Sequence, residues 1–120
     1  MTIRYRYVDV VTEDGVILDL LTFRELKKTP AGAWVQGFYG GHDIGRKRFV
    51  LDGTGRRHCH QSKELAWESY KHRKRMQRTK AIDSLNKSDF ALEQINLISS
   101  PPPESVNLGK PDYWHNYIFD

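Results

Sequence analysis

The segment "RRHCHQ", residues 56 to 61, sets the single cysteine of the chain between two of its five histidines. His and Cys are the side chains that most readily hold zinc, which takes four ligands in a tetrahedron. The local spacing argues against that chemistry. On a strand successive side chains alternate, so His58 and His60 share a face and Cys59 points to the other. The three cannot converge on one ion unless the strand breaks, and neither His42 nor His72 supplies a ligand at one-turn spacing. The expectation is therefore no metal, with Cys59 in the core and both histidines near the surface. "GFYGGHDIG" (37 to 45) is glycine-rich but is no phosphate loop. Such a loop needs a Lys-Ser/Thr pair opening a helix, whereas Gly45 is followed by "RKRF" and a strand. His42 and Asp43 are adjacent, yet no nucleophile with its base and orienting group can be assembled around them. Paired carboxylates of a nuclease type are missing too. No enzyme activity and no cofactor are expected.

Binding is the chemistry that the residue types favour. "YKHRKRMQRTK" (70 to 80) holds Lys71, Arg73, Lys74, Arg75, Arg78 and Lys80 with no acid between them. At about 100° per residue, Lys71, Lys74, Arg75 and Arg78 fall in an arc of roughly 100°. Arg46, Lys47 and Arg48, with Arg56 and Arg57, form a second cluster just ahead of the helix. If the two clusters share a face they form a patch for phosphates or for an acidic protein surface. The expected partner-binding set is Lys71, Lys74, Arg75 and Arg78, supported by Arg46, Lys47 and Arg48. The competing reading is a solvated helix face whose long side chains cover apolar neighbours.

Those cations need elements to hold them. "IRYRYVDVV" alternates aromatic and β-branched residues, and "TEDG" then offers a turn with Gly15 at positive φ. "VILDLLTFREL" is a second strand, "KKTPAG" a turn, and "AWVQGFY" a third strand. "GGHDIG" reads as a loop, "RKRFVLD" as a fourth strand, and "RRHCHQ" as a short fifth. Ser62 is a good helix N-cap, with Glu64 in the first turn where a carboxylate suits the helix dipole. From Lys63 to Ile98 there is neither proline nor glycine, and Pro101 to Pro103 then forbid a helix. An unbroken helix over that span reaches roughly 50 Å at about 1.5 Å per residue. Asn86 to Ser88 is its weak point, so the expectation is one long helix, continuous or bent near 86–88. The alternative is a helical hairpin broken there. Ala81, Leu85, Ser88, Leu92 and Ile95 recur at spacings of four and three, an apolar seam that needs the tail, a second copy (a homodimer through Ala81, Leu85, Leu92 and Ile95) or another protein. "KPDYWHNYIFD" makes the tail aromatic, and it is expected to dock.

The fold class is α+β: an antiparallel sheet of four or five strands over 1–61, a basic helix over 62–98, and a proline-rich, aromatic tail over 99–120. With 120 residues, 38% hydrophobic and 28% charged, one ordinary globular domain is expected over 1–120. The chain lacks a run near the roughly 20 apolar residues of a membrane span. Its N-terminus lacks the apolar core of a signal peptide, and a lone cysteine suits a reducing cytoplasm. The net charge of +4 is uneven. Residues 1 to 45 sum to −1, residues 46 to 57 to +4, residues 63 to 85 to +4, and residues 86 to 120 to −3. A basic middle between acidic ends attracts anionic partners at long range.

Residues 46 to 82, "RKRFVLDGTGRRHCHQSKELAWESYKHRKRMQRTKAI", follow a "TP-x-G" turn at Thr29, Pro30 and Gly32. Ser62, Lys63, Glu64, Ala66 and Ser69 make a "T/S-K-E-x-A-x-x-S" helix start. Arg73, Lys74, Arg75 and Gln77 follow as an "R-K-x-R-Q" run in which Met76 interrupts the spacing. Over residues 29 to 82 this pattern resembles small uncharacterised accessory proteins of tailed phages. Where that type has an aromatic and a small residue before the helix, this chain has His58, Cys59 and His60, and the tail after Ser99 has no counterpart. The resemblance implies a non-enzymatic viral protein in the bacterial host cytoplasm, acting by stoichiometric binding. It would block a host protein or nucleoprotein complex, such as a polymerase, a nuclease or a CRISPR effector, as an anti-defence inhibitor. The other expectation is a sequence-independent nucleic-acid-binding module that holds the backbone.

Overall fold

The structure, a computed structural model, describes residues 1–53 and 56–111. Its elements run β1 (Ile3–Thr12), β2 (Gly15–Lys28), β3 (Gly32–Tyr39), β4 (His42–Leu51) and α1 (Lys63–Ile95). The four strands form one antiparallel sheet in the order β1-β2-β3-β4, each paired with its neighbour in sequence. The protein is thus α+β, a sheet followed by one long helix. The chain divides into two compact units, Met1–Lys74 and Arg75–Asp120, with the boundary inside α1. The expected docking of the aromatic tail falls on residues 112–120, outside the described ones.

In the first unit, short turns set the sheet. Gly15 sits at φ +132° at the end of the β1–β2 turn. The β3–β4 connection is tighter than the expected glycine-rich loop. Gly40 and Gly41, at φ +60° and +81°, alone make the turn between the paired Tyr39 and His42. Two positive φ values in a two-residue turn match the twist of a hairpin, so His42 to Gly45 belong to β4. The Thr29–Gly32 turn is closed by the Thr29 amide, which donates to the Gly32 carbonyl at 2.8 Å. Gly32 itself passes so near β4 that a Cβ there would lie 2.1 Å from the Val50 carbonyl oxygen. "RRHCHQ" is not a fifth strand. It makes a single bridge, in which the amides of Tyr5 and His60 each donate to the other's carbonyl at 2.8 Å.

One face of the sheet carries a small core of Phe23, Ala33, Val35, Val50 and Cys59. Arg4 is buried on the same face, where Nε donates to Glu25 at 2.9 Å and Nη2 to Asp52 at 2.7 Å. The helix starts where expected: Ser62 Oγ accepts from the Leu65 amide at 3.1 Å, satisfying one of the first turn's orphan N–H groups. Its first turns follow β1, with Lys63 over the Tyr5 ring, Trp67 edge-on to Tyr7 at 5.3 Å, and Lys74 on Asp9. Ala66 is the one buried residue of the helix.

The second unit contains the rest of α1 and the segment after it. The helix does not break at Asn86–Ser88. Ser88 Oγ donates to the Ser84 carbonyl at 2.9 Å, a back-bond along the helix, and so does not cap a second one. α1 ends at Ile95, three residues before the expected Ile98, because Leu97 and Ile98 take tighter i−3 bonds to Gln94 and Ile95. Beyond it, Ile95, Ile98, Ser100, Pro102, Val106 and Leu108 line an open apolar hollow of about 380 Å³. Leu85, Leu92 and Ile95 of the expected seam are exposed, at 59%, 55% and 47%. Among the described residues no helix is long and apolar enough to cross a membrane.

Candidate functional site

Arginine on the inner face of the sheet is treated in two ways. Arg4 is neutralised: burial opposes its charge, but the hydrogen bonds it donates to Asp52 and Glu25, with the attraction of both carboxylates, outweigh that and raise its pKa. Arg6 lies two residues along the same strand and so on the same face. Its Nη1 donates at 3.0 Å to a backbone carbonyl, that of His58, and no carboxylate meets it among the described residues. Its pKa is lowered instead, first by burial and then by repulsion from Arg73 and Arg48.

Arg73 and Arg48 reach this place from other elements. Arg73 comes from α1, with Nη2 donating to the Tyr7 carbonyl and its guanidinium 5.7 Å from the Tyr70 ring centre. Its Nε is buried without a hydrogen-bond partner among the described residues. Arg48, half-buried, pairs in register with the buried Val35, so both face the core side. His58 stands in the middle, edge-on to Phe23 at 5.2 Å. Burial pushes its pKa down to about 4, reinforced by Arg48, Arg6, Arg73 and Arg46 in that order. His60 is buried at 5% exposure, and neither ring nitrogen finds a partner among the described residues. Its pKa is lowered by burial first, then by Arg73, Arg6, Arg57 and Arg4.

The expected binding residues therefore separate. Arg46 and Arg48 act on His58 on the core side, whereas Lys47 acts on Asp43, which Arg24 holds at 2.7 Å on the opposite face. Three consecutive cations of a strand do not make one cluster, because the pleat alternates them. Lys71 pairs with Glu68 at 2.7 Å and Lys74 with Asp9, so two members of the helix arc already have acids. Glu68 at i−3 was visible in the sequence; Asp9 on β1 was not. Arg75 and Arg78 are exposed in the second unit. Arg6, Arg73 and His58 were missed as site residues. Arg6 and Arg73 each looked like one more surface cation, and nothing local distinguishes Arg6 from Arg4.

Cys59 lies in the core as expected, and burial raises its thiol pKa to about 11. His60 is a correction, since the bridge to Tyr5 draws it inside when the surface was expected. Among the described residues no three His, Cys, Asp or Glu side chains gather as a metal site. What the arrangement can do is hold an anion: the half-buried guanidiniums of Arg6, Arg48 and Arg73 come from β1, β4 and α1, two of them are fixed by backbone carbonyls, and among the described residues no acid pairs with them. No family model matches the chain, and no curated protein or solved structure matches it either.

Proposed function

We propose that this chain is a non-enzymatic binding protein that holds the phosphodiester backbone of a nucleic acid without reading its sequence. Half-buried Arg6, Arg48 and Arg73 on the core side support the reading most: Arg6 is bonded to the His58 carbonyl, Arg73 to the Tyr7 carbonyl, and among the described residues no carboxylate is seen to depress or pair with their charge at His58. Guanidinium forks match phosphate oxygens and are weakly hydrated, so they suit a half-buried phosphate contact better than an ammonium does. The deciding experiment is anisotropy titration of labelled single- and double-stranded oligonucleotides over a salt series. Binding should weaken with a log–log slope of about −0.9 per phosphate neutralised on duplex DNA, and depend little on sequence. Absence of binding at low salt, or a flat salt dependence, overturns the reading.

A second reading has its own observation. The exposed Leu85, Leu92 and Ile95 beside Ala81 offer an apolar helix face of a kind that protein partners cover. Together with the phage-type pattern, it favours stoichiometric inhibition of a host protein or nucleoprotein complex in the bacterial cytoplasm, an anti-defence role. Capture from bacterial lysate at high salt tests it: a stoichiometric host protein lost on Leu85→Ser/Leu92→Ser supports inhibition. Recovery of nucleic acid alone, or of a self-paired dimer, sinks it.

A further inference from the structure

We propose that Arg6, Arg48 and Arg73, arranged around His58 on the core side of the sheet, form a seat for one phosphate group of a nucleic-acid backbone. The proposal rests on the backbone-binding reading and narrows it to a built site.

The contrast with Arg4 carries the argument furthest. This face supplies two carboxylates to Arg4, at 2.9 and 2.7 Å, and leaves it 1% exposed. Arg6, on the same strand and face, receives none among the described residues, and the charges that lower its pKa are two further guanidiniums, those of Arg73 and Arg48. Half-buried like charges cost free energy unless a counter-charge joins them. Two of the three cations are also held in place beforehand. The His58 carbonyl fixes Arg6, while the Tyr7 carbonyl and the Tyr70 ring fix Arg73. Pre-set donors lose little side-chain freedom on binding, which favours affinity. The Nε of Arg73 is buried and meets no acceptor among the described residues, so its guanidinium is not fully satisfied by the protein around it.

The geometry also selects the ligand. A carboxylate offers two oxygens in one plane and is served by a single fork. Donors arriving from β1, β4 and α1 suit a tetrahedral group with oxygens on several sides. Around His58 stand Arg6 of β1, the Phe23 ring of β2, Arg46 and Arg48 of β4, and Arg73 of α1. Every charged member of that set is positive, so His58 stays neutral while the seat is empty. A phosphate among the guanidiniums cancels part of that repulsion, and the His58 pKa rises. Binding then takes up a proton and strengthens as the pH falls from neutral.

The test joins NMR of the His58 ring in the full chain to oligonucleotide titration. Adding a short oligothymidylate should shift the His58 ring signals and raise its pKa. Arg48→Gln and Arg73→Gln should each weaken oligonucleotide binding about tenfold, the loss of roughly one charged contact, and Arg75→Gln much less. The NMR arm uses the unaltered protein, so it decides even if a variant fails to fold. If the oligonucleotide binds while His58 stays silent, the seat is wrong and the backbone-binding reading survives. If inorganic phosphate moves His58 but no oligonucleotide binds, the phosphate chemistry stands and the nucleic-acid assignment falls. If poly-glutamate moves His58 and phosphate does not, the phosphate seat is overturned in favour of an acidic protein partner.

Discussion

Individual residues show how far identity alone misleads. Arg4 and Arg6 are two letters apart in "IRYRYV", yet one is a structural ion pair and the other part of the candidate site. Pleat alternation puts them on one face, but Glu25 and Asp52, which settle their roles, lie far away in sequence. Arg4→Met should therefore cost about 3 kcal/mol in denaturant unfolding, because it strands the mostly buried Glu25 carboxylate. Arg6→Met should cost much less, since it relieves repulsion and strands no acid. Equal losses would show that Arg6 also serves the fold. His58 gives a pH prediction. Its folded pKa of about 4 lies below the ordinary 6.5, so the unfolded chain binds the proton more tightly. That contribution to stability is complete above about 6.5 and is lost as the pH falls towards 4. Thermal unfolding should show Tm dropping across that window, with a smaller drop for His58→Phe. The burial of Cys59 was expected from strand alternation, but the segment is no strand and the adjacent His60 is buried as well, drawn in by a bridge to Tyr5 that the sequence does not show.

Elements were more legible than sites. Alternation and turn residues placed four strands, since the period of two and a glycine at a hairpin are local signals. Ser62 with its capping bond was equally local, and Ser62→Ala should cost about 1 kcal/mol, measurable by urea unfolding. An unchanged midpoint would mean that the contacts of α1 with β1, and not its cap, fix where it begins. What failed was set by pairing across the sheet. "GGHDIG" became two turn residues and a strand start because Tyr39 and His42 pair. "RRHCHQ" became one bridge because only Tyr5 and His60 exchange backbone bonds. The close approach of β3 and β4 also hid in the sequence as an ordinary "TPAG" turn. Gly32→Ala must push the Val50 carbonyl aside, so a loss of roughly 3 kcal/mol is expected, at the upper end of overpacking costs. A loss of a few tenths would show that β4 yields easily there.

For the whole molecule, the uneven charge of the sequence has consequences separable from any one contact. Basic residues at 46–57 and 63–85 draw an anionic partner from a distance, and salt screens that attraction over about 8 Å at physiological ionic strength. Exposed cations such as Arg75 and Arg78 contribute to this field, whereas a half-buried guanidinium such as Arg48 acts mainly after contact. The two kinds of cation should thus appear in different rate constants. Arg75→Glu/Arg78→Glu should slow association with an oligonucleotide several-fold at low salt, leave dissociation within about twofold, and lose its effect as salt rises. Arg48→Gln should do the reverse: association nearly unchanged, dissociation faster by about tenfold, and the difference persisting at higher salt. Stopped-flow mixing at several salt concentrations measures both constants directly. If the two variants change the same rate constant by the same factor, the half-buried cluster is no more than part of the general field. The partner would then be held by the basic surface as a whole.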